Sequence, residues 1–333
     1  MNARQKVIID CDPGIDDSLA LLLAVNSPEL EILGITIVSG NVPAEIGAQN
    51  ALKVLDFASR LDIPVYVGAT KPLKRTYVSA QDTHGQDGLG ESQLPLVTKV
   101  KVQPDAIEFI EQTLAQNKQV VILAIGPLTN LALALKAQPA VWHNCQAIVS
   151  MGGNFRSHGN CSPVAEYNYW CDPDAAAYVF DHTPVSIKMV GLDVTRKIVL
   201  TPNILEYIWQ KNRRVGNFIK KITRFYFDFH WQQEKVIGCV INDPLAVAFL
   251  LEPTLCQGFE ARVKVVTNGL AIGQSMVDIQ GFWQETSNAL VLTEVNVQKF
   301  MHMFLQRIIR AKDPELTEVL NQVMCKGDET NVN

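Results

Sequence analysis

The stretch Val7-Ile8-Ile9-Asp10-Cys11-Asp12-Pro13-Gly14-Ile15-Asp16-Asp17-Ser18 places four carboxylates within eight residues. No Lys or Arg occurs between Lys6 and Lys53, so no cation close in sequence neutralises them. Crowded like charges push carboxyl pKa values up unless a cation intervenes. Helix capping explains part of the pattern: Asp16 and Asp17 precede a helix expected from about Ser18, and carboxylates favour a helix N-terminus. Capping leaves Asp10 and Asp12, at the end of an apolar strand, unexplained. A set of hard oxygen donors without histidine points instead to Ca²⁺ or Mg²⁺ rather than zinc. Pro13-Gly14 supplies a tight turn that folds Asp12 back toward Asp17.

The elements that must hold such a site alternate along the chain. Apolar runs at Val7–Ile9, Ile32–Val38, Val65–Val67, Val120–Ile125, Ala147–Met151 and Val185–Val190 have strand character. Helical patterns fall between them at Ser18–Val25, Ala44–Ser59, Pro104–Gln116, Leu128–Ala137 and Pro173–Phe180. Val120–Ile125 is apolar throughout rather than alternating, as a parallel strand covered on both faces should be. The rhythm predicts an α/β fold: a single-domain, doubly wound, mostly parallel central sheet flanked by helices, Rossmann-like in class. After residue 200 the pattern turns helical at Ile204–Gln210, Val215–Lys235 and Pro244–Leu251. Strand-like runs follow near Phe259–Val266 and Ala289–Val295. Ligand-binding loops of such a sheet gather at the carboxyl ends of its strands.

The chain has 333 residues, 47% hydrophobic and 19% charged, with a formal net charge of −5. Nothing in that balance favours a polyanion such as DNA, whose binding needs a basic face. The longest early apolar run, Leu19–Val25, is too short for a membrane span, and no signal-peptide pattern precedes Val7. Seven scattered cysteines without a C-x-x-C pair fit reduced thiols and a cytoplasmic protein. No linker divides the chain, so residues 1–311 read as one domain and 312–333 as its C-terminal extension, a docked helix with a free tip.

Asp10-Cys11-Asp12-Pro13-Gly14-Ile15-Asp16-Asp17 resembles the D-x-D-P-G-x-D-D fingerprint of the inosine–uridine-preferring nucleoside hydrolases. The resemblance continues in order through Thr36–Asn41, Gly126-Pro127-Leu128-Thr129-Asn130, Met151-Gly152-Gly153, Gly159-Asn160 and Ala165–Asn168. Gly191–Thr195 and Asp243–Val247 complete it, over roughly residues 5 to 310. It implies hydrolysis of the N-glycosidic bond of ribonucleosides through an oxocarbenium-like transition state, with nucleoside salvage as its role. By the same resemblance Ca²⁺ is the cofactor, and it acidifies a water and orients the ribose diol. Asp12 then ligates the ion and acts as general base. Asp17, Asp243 and the backbone carbonyl of Ile125 complete the metal set. Asp16, Asn41, Asn160, Glu166 and Asn168 bind ribose, Met151 touches the nucleoside, and His84 lies near the base. The substrate is a free nucleoside, and a dimer or tetramer would match the family.

Each of these residues has a plainer reading. Asp243 before Pro244 is an ordinary helix cap, Asn160 after Gly159 an ordinary turn residue, Met151 a core residue, and His84 in a glycine-rich loop a solvated side chain. The sequence departs from the resemblance at position 242. Several members carry His-Asp-Pro there, the His assisting departure of the base, whereas this chain has Asn242-Asp243-Pro244. An amide is no proton donor of useful acidity, so His84, His230 and Tyr226 stand as open candidates. Phe225–Trp231 is rich in aromatics that could stack on a base or simply fill a core. Two other classes compete: a D-x-D phosphatase using Mg²⁺, and a nucleoside-binding protein without catalysis. Pro13-Gly14 after the second Asp departs from the first, and retention of Asp12, Asp17 and Asp243 argues against the second.

Overall fold

A computed structural model of the chain describes residues 3–310 and 314–324. The strands are β1 (Gln5–Cys11), β2 (Leu30–Ile37), β3 (Val65–Val67), β4 (Val120–Ala124), β5 (Cys145–Met151), β6 (Ile187–Val190), β7 (Val199–Leu200), β8 (Cys239–Val240), β9 (Cys256–Val265), β10 (Ser275–Asp278) and β11 (Ala289–Val295). Nine of them form one sheet in the order β10-β9-β11-β6-β5-β4-β1-β2-β3. Pairing is parallel from β3 across to β11 and antiparallel only where β9 joins β11 and β10. The expected doubly wound sheet with helices on both faces is what forms.

The alternation of side chains along β4 shows why its run has no polar positions. Val121 and Leu123 enter one core, Val120, Ile122 and Ala124 the other, and all are buried. β1 divides the same way, with Val7 and Ile9 on one face and Ile8 on the opposite one. From β1 the chain winds to β2 and β3 on one side, then returns to build β4, β5 and β6 on the other. The switch point therefore lies between the carboxyl ends of β1 and β4, where a doubly wound sheet opens its crevice. Asp10 pairs with Ala124 there, and Ile125 N donates to the Asp10 carbonyl at 2.8 Å.

The helix Ile15–Val25 starts three residues before the expected Ser18. The Asp17 carboxylate accepts Gly14 N, and Ser18 Oγ donates to the Gly14 carbonyl, so the first turn closes earlier than the apolar pattern indicates. Every residue of this helix is buried, packed among the helices Ala44–Ala58, Arg213–Glu234, Asp243–Leu251 and Val297–Ile309. That environment accounts for the missing polar face in Leu19–Val25. Strands β7, β8 and β10 and the short helices Gln81–His84, Tyr167–Cys171 and Leu192–Thr195 were not expected; segments this short carry no readable period. Near the C-terminus the helix Leu316–Val323 buries Leu316 and Leu320 in the core shared with Val297–Ile309. The expected boundary at 311/312 and the tip at 325–333 lie outside the described residues. Among the described residues no helix is long and apolar enough to cross a membrane, and the cysteines are unpaired.

Candidate active site

β1 delivers the acidic loop to the switch point, and the loop folds around its own carboxylates. Asp17 accepts Asp12 N at 3.2 Å and Gly14 N at 3.0 Å. Asn41, just past β2, donates its backbone N to Asp12 Oδ2 at 2.6 Å and its Nδ2 to Asp17 Oδ2 at 2.9 Å. Asp243 arrives from the far end of the chain as the first residue of the helix Asp243–Leu251. Carboxylate oxygens of Asp16, Asp17 and Asp243 lie within 4.8 Å of one another, all buried. Asp12 stands just outside that triplet, wedged between Gly40 and Gly126. A Cβ on Gly126 would meet Asp12 Oδ1 at 2.7 Å, so the loop after β4 can approach only as glycine. Asp10, the remaining acid, turns away: Thr36 and Asn130 donate to its Oδ1 at 2.5 and 2.8 Å.

The electrostatics of this cluster are those of anions lacking a counter-ion. Burial, and then the neighbouring Asp17, hold the Asp12 carboxyl well above its usual range. Burial and Asp16 push Asp17 up to about 6. Asp243 is raised by burial and by Asp16, Asp17 and Asp12 together. Among the described residues no Lys or Arg pairs with any of the four, and Asp12 Oδ1 is buried without a hydrogen-bond partner. An all-oxygen donor set, an orphaned buried oxygen and mutual repulsion together fit a hard divalent cation.

Above the acids lies a cavity of about 410 Å³, within the range of small-ligand sites. Asp16, Asn41, His84, Ile125, Met151, Asn160, Glu166, Asn168, Asn242 and Asp243 line it, whereas Asp12 and Asp17 lie behind its floor. Glu166 is 2% exposed and accepts from Gly153 N, Asn168 N and Tyr169 N, which leaves a carboxylate little free capacity. Its burial raises it to about 7 despite those bonds. Asn168 Nδ2 donates to the Ile125 and Met151 carbonyls at 3.2 and 3.1 Å. Asn160 accepts Tyr167 N through Oδ1, which caps the short helix Tyr167–Cys171. His84 is not solvated: it is 4% exposed and its Nδ1 accepts Ile15 N at 3.1 Å. The aromatic stretch divides, with Tyr226 and Phe229 lining the cavity beside His230, and Trp231 51% exposed.

Residues 7–302 match the model of the inosine-uridine preferring nucleoside hydrolase family. The chain belongs to that family. It is an N-glycosidase by class. The hydrolase is 34% identical over 315 residues to the inosine-uridine preferring nucleoside hydrolase of Leishmania major, covering 93% of this chain and 99% of that one. It is 37% identical over 280 residues to uridine nucleosidase 1 of Arabidopsis thaliana, covering 84% of this chain and 83% of that one. The structure of a purine-preferring ribonucleoside hydrolase from Gardnerella vaginalis superposes with a TM-score of 0.86 at 32% identity, covering 95% of this chain and all of that one. Those names span different bases on one scaffold.

Sequence reasoning missed Arg196 of the hydrolase, which lines the cavity and whose Nη2 donates to the Gly159 carbonyl at 3.0 Å and lies 3.4 Å from Glu234. It also missed Trp170 and Tyr167. Tyr167 Oη donates to the Gly40 carbonyl at 2.7 Å, tying the start of the short helix Tyr167–Cys171 to the loop after β2. Tyr167 lies inside the Ala165–Asn168 segment, where the resemblance gives it no role, and Arg196 and Trp170 lie outside every quoted motif, so only the fold brings these side chains to the cavity.

Proposed function

We propose that this hydrolase cleaves the N-glycosidic bond of free ribonucleosides, releasing ribose and base, with Ca²⁺ held by Asp12, Asp17, Asp243 and the Ile125 carbonyl. The observation that carries this reading is a buried, uncompensated carboxylate cluster beneath a cavity rimmed by amides and a second buried acid. Bound there, Ca²⁺ supplies a lowered pKa for the attacking water and an anchor for the ribose diol. Asp12 accepts the proton of that water through the oxygen left without a partner. Asn41 keeps Asp12 and Asp17 at fixed separation, so the base needs no rearrangement before it acts. Asp16, Asn160, Glu166 and Asn168 take the ribose hydroxyls, and Met151 packs against the nucleoside. Positive charge developing on the sugar is favoured by the surrounding carboxylates.

The proposal includes a cytoplasmic homo-oligomer, dimer or tetramer, that serves nucleoside salvage. The test is direct. The purified protein is incubated with uridine and with inosine, and free ribose is measured with and without a chelator, followed by Ca²⁺ or Mg²⁺ addition. Ribose release that chelation abolishes and Ca²⁺ restores supports the reading. Nucleoside binding by calorimetry with no ribose released would make the protein a binder instead.

A further inference from the structure

The structure gives the two cavity histidines opposite and fixed protonation patterns. His84 Nδ1 lies 3.1 Å from Ile15 N, and a backbone N–H can only donate, so Nδ1 carries no proton and the ring proton sits on Nε2. Protonating Nδ1 would set two N–H groups against each other at a helix N-terminus, where positive charge is disfavoured. Gly14 lets the ring come this close, since a Cβ there would fall 2.7 Å from Nδ1. His84 is thus held as the tautomer with its proton on Nε2, and burial lowers its tendency to take up a second one.

His230 is the reverse case. Its Nδ1 lies 2.9 Å from the Tyr226 carbonyl one turn back, and a carbonyl can only accept, so Nδ1 holds its proton. Nε2 is left as the nitrogen that gains and loses a proton, on a side chain that lines the cavity. Tyr226 packs edge-on against the ring at 4.4 Å and 81°, with Phe229 beside it, which fixes the ring plane. The charged and titratable groups around it are Asp16 from the helix Ile15–Val25, Arg196 after the short helix Leu192–Thr195, Glu234 on its own helix and His84 from Gln81–His84. Burial lowers His230 below the usual histidine value, which makes its cation a stronger acid.

Asn242 is otherwise engaged. Its backbone N and its Nδ2 both donate to Asp16 Oδ2, at 3.2 and 3.1 Å, so it orients the acid proposed to grip ribose.

We propose that His230, not residue 242, delivers the proton to the departing base, while His84 offers a fixed hydrogen bond from Nε2. This rests on the hydrolysis proposed above. In the step, the C1′–N bond breaks and its electron pair goes to the base, which takes the Nε2 proton of His230. The water oxygen bonds to C1′, and its proton goes to Asp12. Transfer of that proton through solvent to His230 restores both groups, so nucleoside plus water becomes ribose plus the neutral free base.

The test compares nucleosides with p-nitrophenyl β-ribofuranoside, whose leaving group departs as a stable anion and needs no proton. His230→Gln should lower kcat/KM for inosine and uridine by roughly 10²–10⁴-fold. It should lower the nitrophenyl riboside by less than about tenfold, because one general-acid contribution is all that is removed. The wild-type kcat for inosine should decline with rising pH along a limb that His230→Gln lacks, and the nitrophenyl riboside should show no such limb in either protein. Asn242→Ala, acting through Asp16, should lower both substrates by similar factors. Equal loss on both substrates for His230→Gln, or no loss on either, overturns the assignment. A wild type that cleaves neither compound would overturn the hydrolysis reading instead.

Discussion

At the residue scale the site is organised by oxygen atoms that lack partners. Asp12 Oδ1 is buried with nothing donating to it, and burial raises the carboxyls of Asp12, Asp17 and Asp243, with Asp17 raising Asp12 further and Asp16 raising Asp17 and Asp243. Removing one charge should therefore help the metal-free fold while destroying catalysis. Asp12→Asn should abolish ribose release, yet in strong chelator melt at a higher temperature than wild type; a lower melting temperature there would contradict the uncompensated-charge account. Glu166 makes a second, separable prediction. Its folded carboxyl is raised to about 7 from an ordinary 4.5, so the native state holds a proton that the unfolded chain has released. Stability from this group is full below the unfolded value and is lost as pH rises through about 7. Between pH 5 and 8 wild type should lose about 2–3 kcal/mol more than Glu166→Gln, read by urea melts in chelator.

At the element scale, the helix Arg213–Glu234 and the loop around Gly159 are held together by Arg196. Its guanidinium bridges the Gly159 carbonyl and Glu234, so the one Lys or Arg side chain lining the cavity among the described residues is already paired. With Glu166 at the ribose 5′-hydroxyl under the proposed function, a 5′-phosphate would bring about two negative charges against its carboxylate at pH values above about 7, where that carboxylate is ionised. At about 4 Å and an effective dielectric near 20, each unit of repulsion is on the order of 4 kcal/mol. Uridine should be a far better substrate than its 5′-monophosphate by kcat/KM. Glu234→Gln, which frees Arg196, should narrow that gap; a gap that stays or widens would remove Arg196 from the account. Arg196→Ala should loosen the loop carrying Asn160 and raise KM by about tenfold with less effect on kcat, since a charged hydrogen bond is worth about 1.5–3 kcal/mol.

At the scale of the whole molecule, the acidic cluster joins segments more than two hundred residues apart: Asp17 opens the first helix, and Asp243 opens one near the end of the family-matched region. A cation bound there fastens the buried first helix to the helix Asp243–Leu251, which pack against each other. Ligand at a hundred times its dissociation constant stabilises by about 2.7 kcal/mol, which is a rise of roughly 5 °C for a protein of this size. Melting curves in chelator and in excess Ca²⁺ should differ by about that much in wild type and much less in Asp17→Asn. Because the ligands must be ionised, the Ca²⁺-induced rise should grow with pH.

The chemistry of the acidic loop is local, so it was legible without a fold. Asp10 to Asp17 lie on one strand end and one turn, and no basic residue lies nearby in sequence. The parallel sheet was legible for the same reason: the unbroken apolar run at Val120–Ile125 has one physical explanation, burial on both faces. What required tertiary structure was every relation between distant segments. Asp10 and Asp12 belong to one motif, yet Asn130 and Thr36 turn Asp10 away while Asn41 and Asp17 hold Asp12 at the cluster. Nothing in the glycine-rich loop says that His84 is buried against the first helix, and nothing in the aromatic stretch says that Tyr226 and His230 face a cavity while Trp231 faces solvent. Histidine tautomers were decided by which backbone atom each ring meets, the Ile15 N–H or the Tyr226 carbonyl. Residue types set which proton transfers are available; the directions of backbone donors and acceptors, which only the folded chain has, select among them.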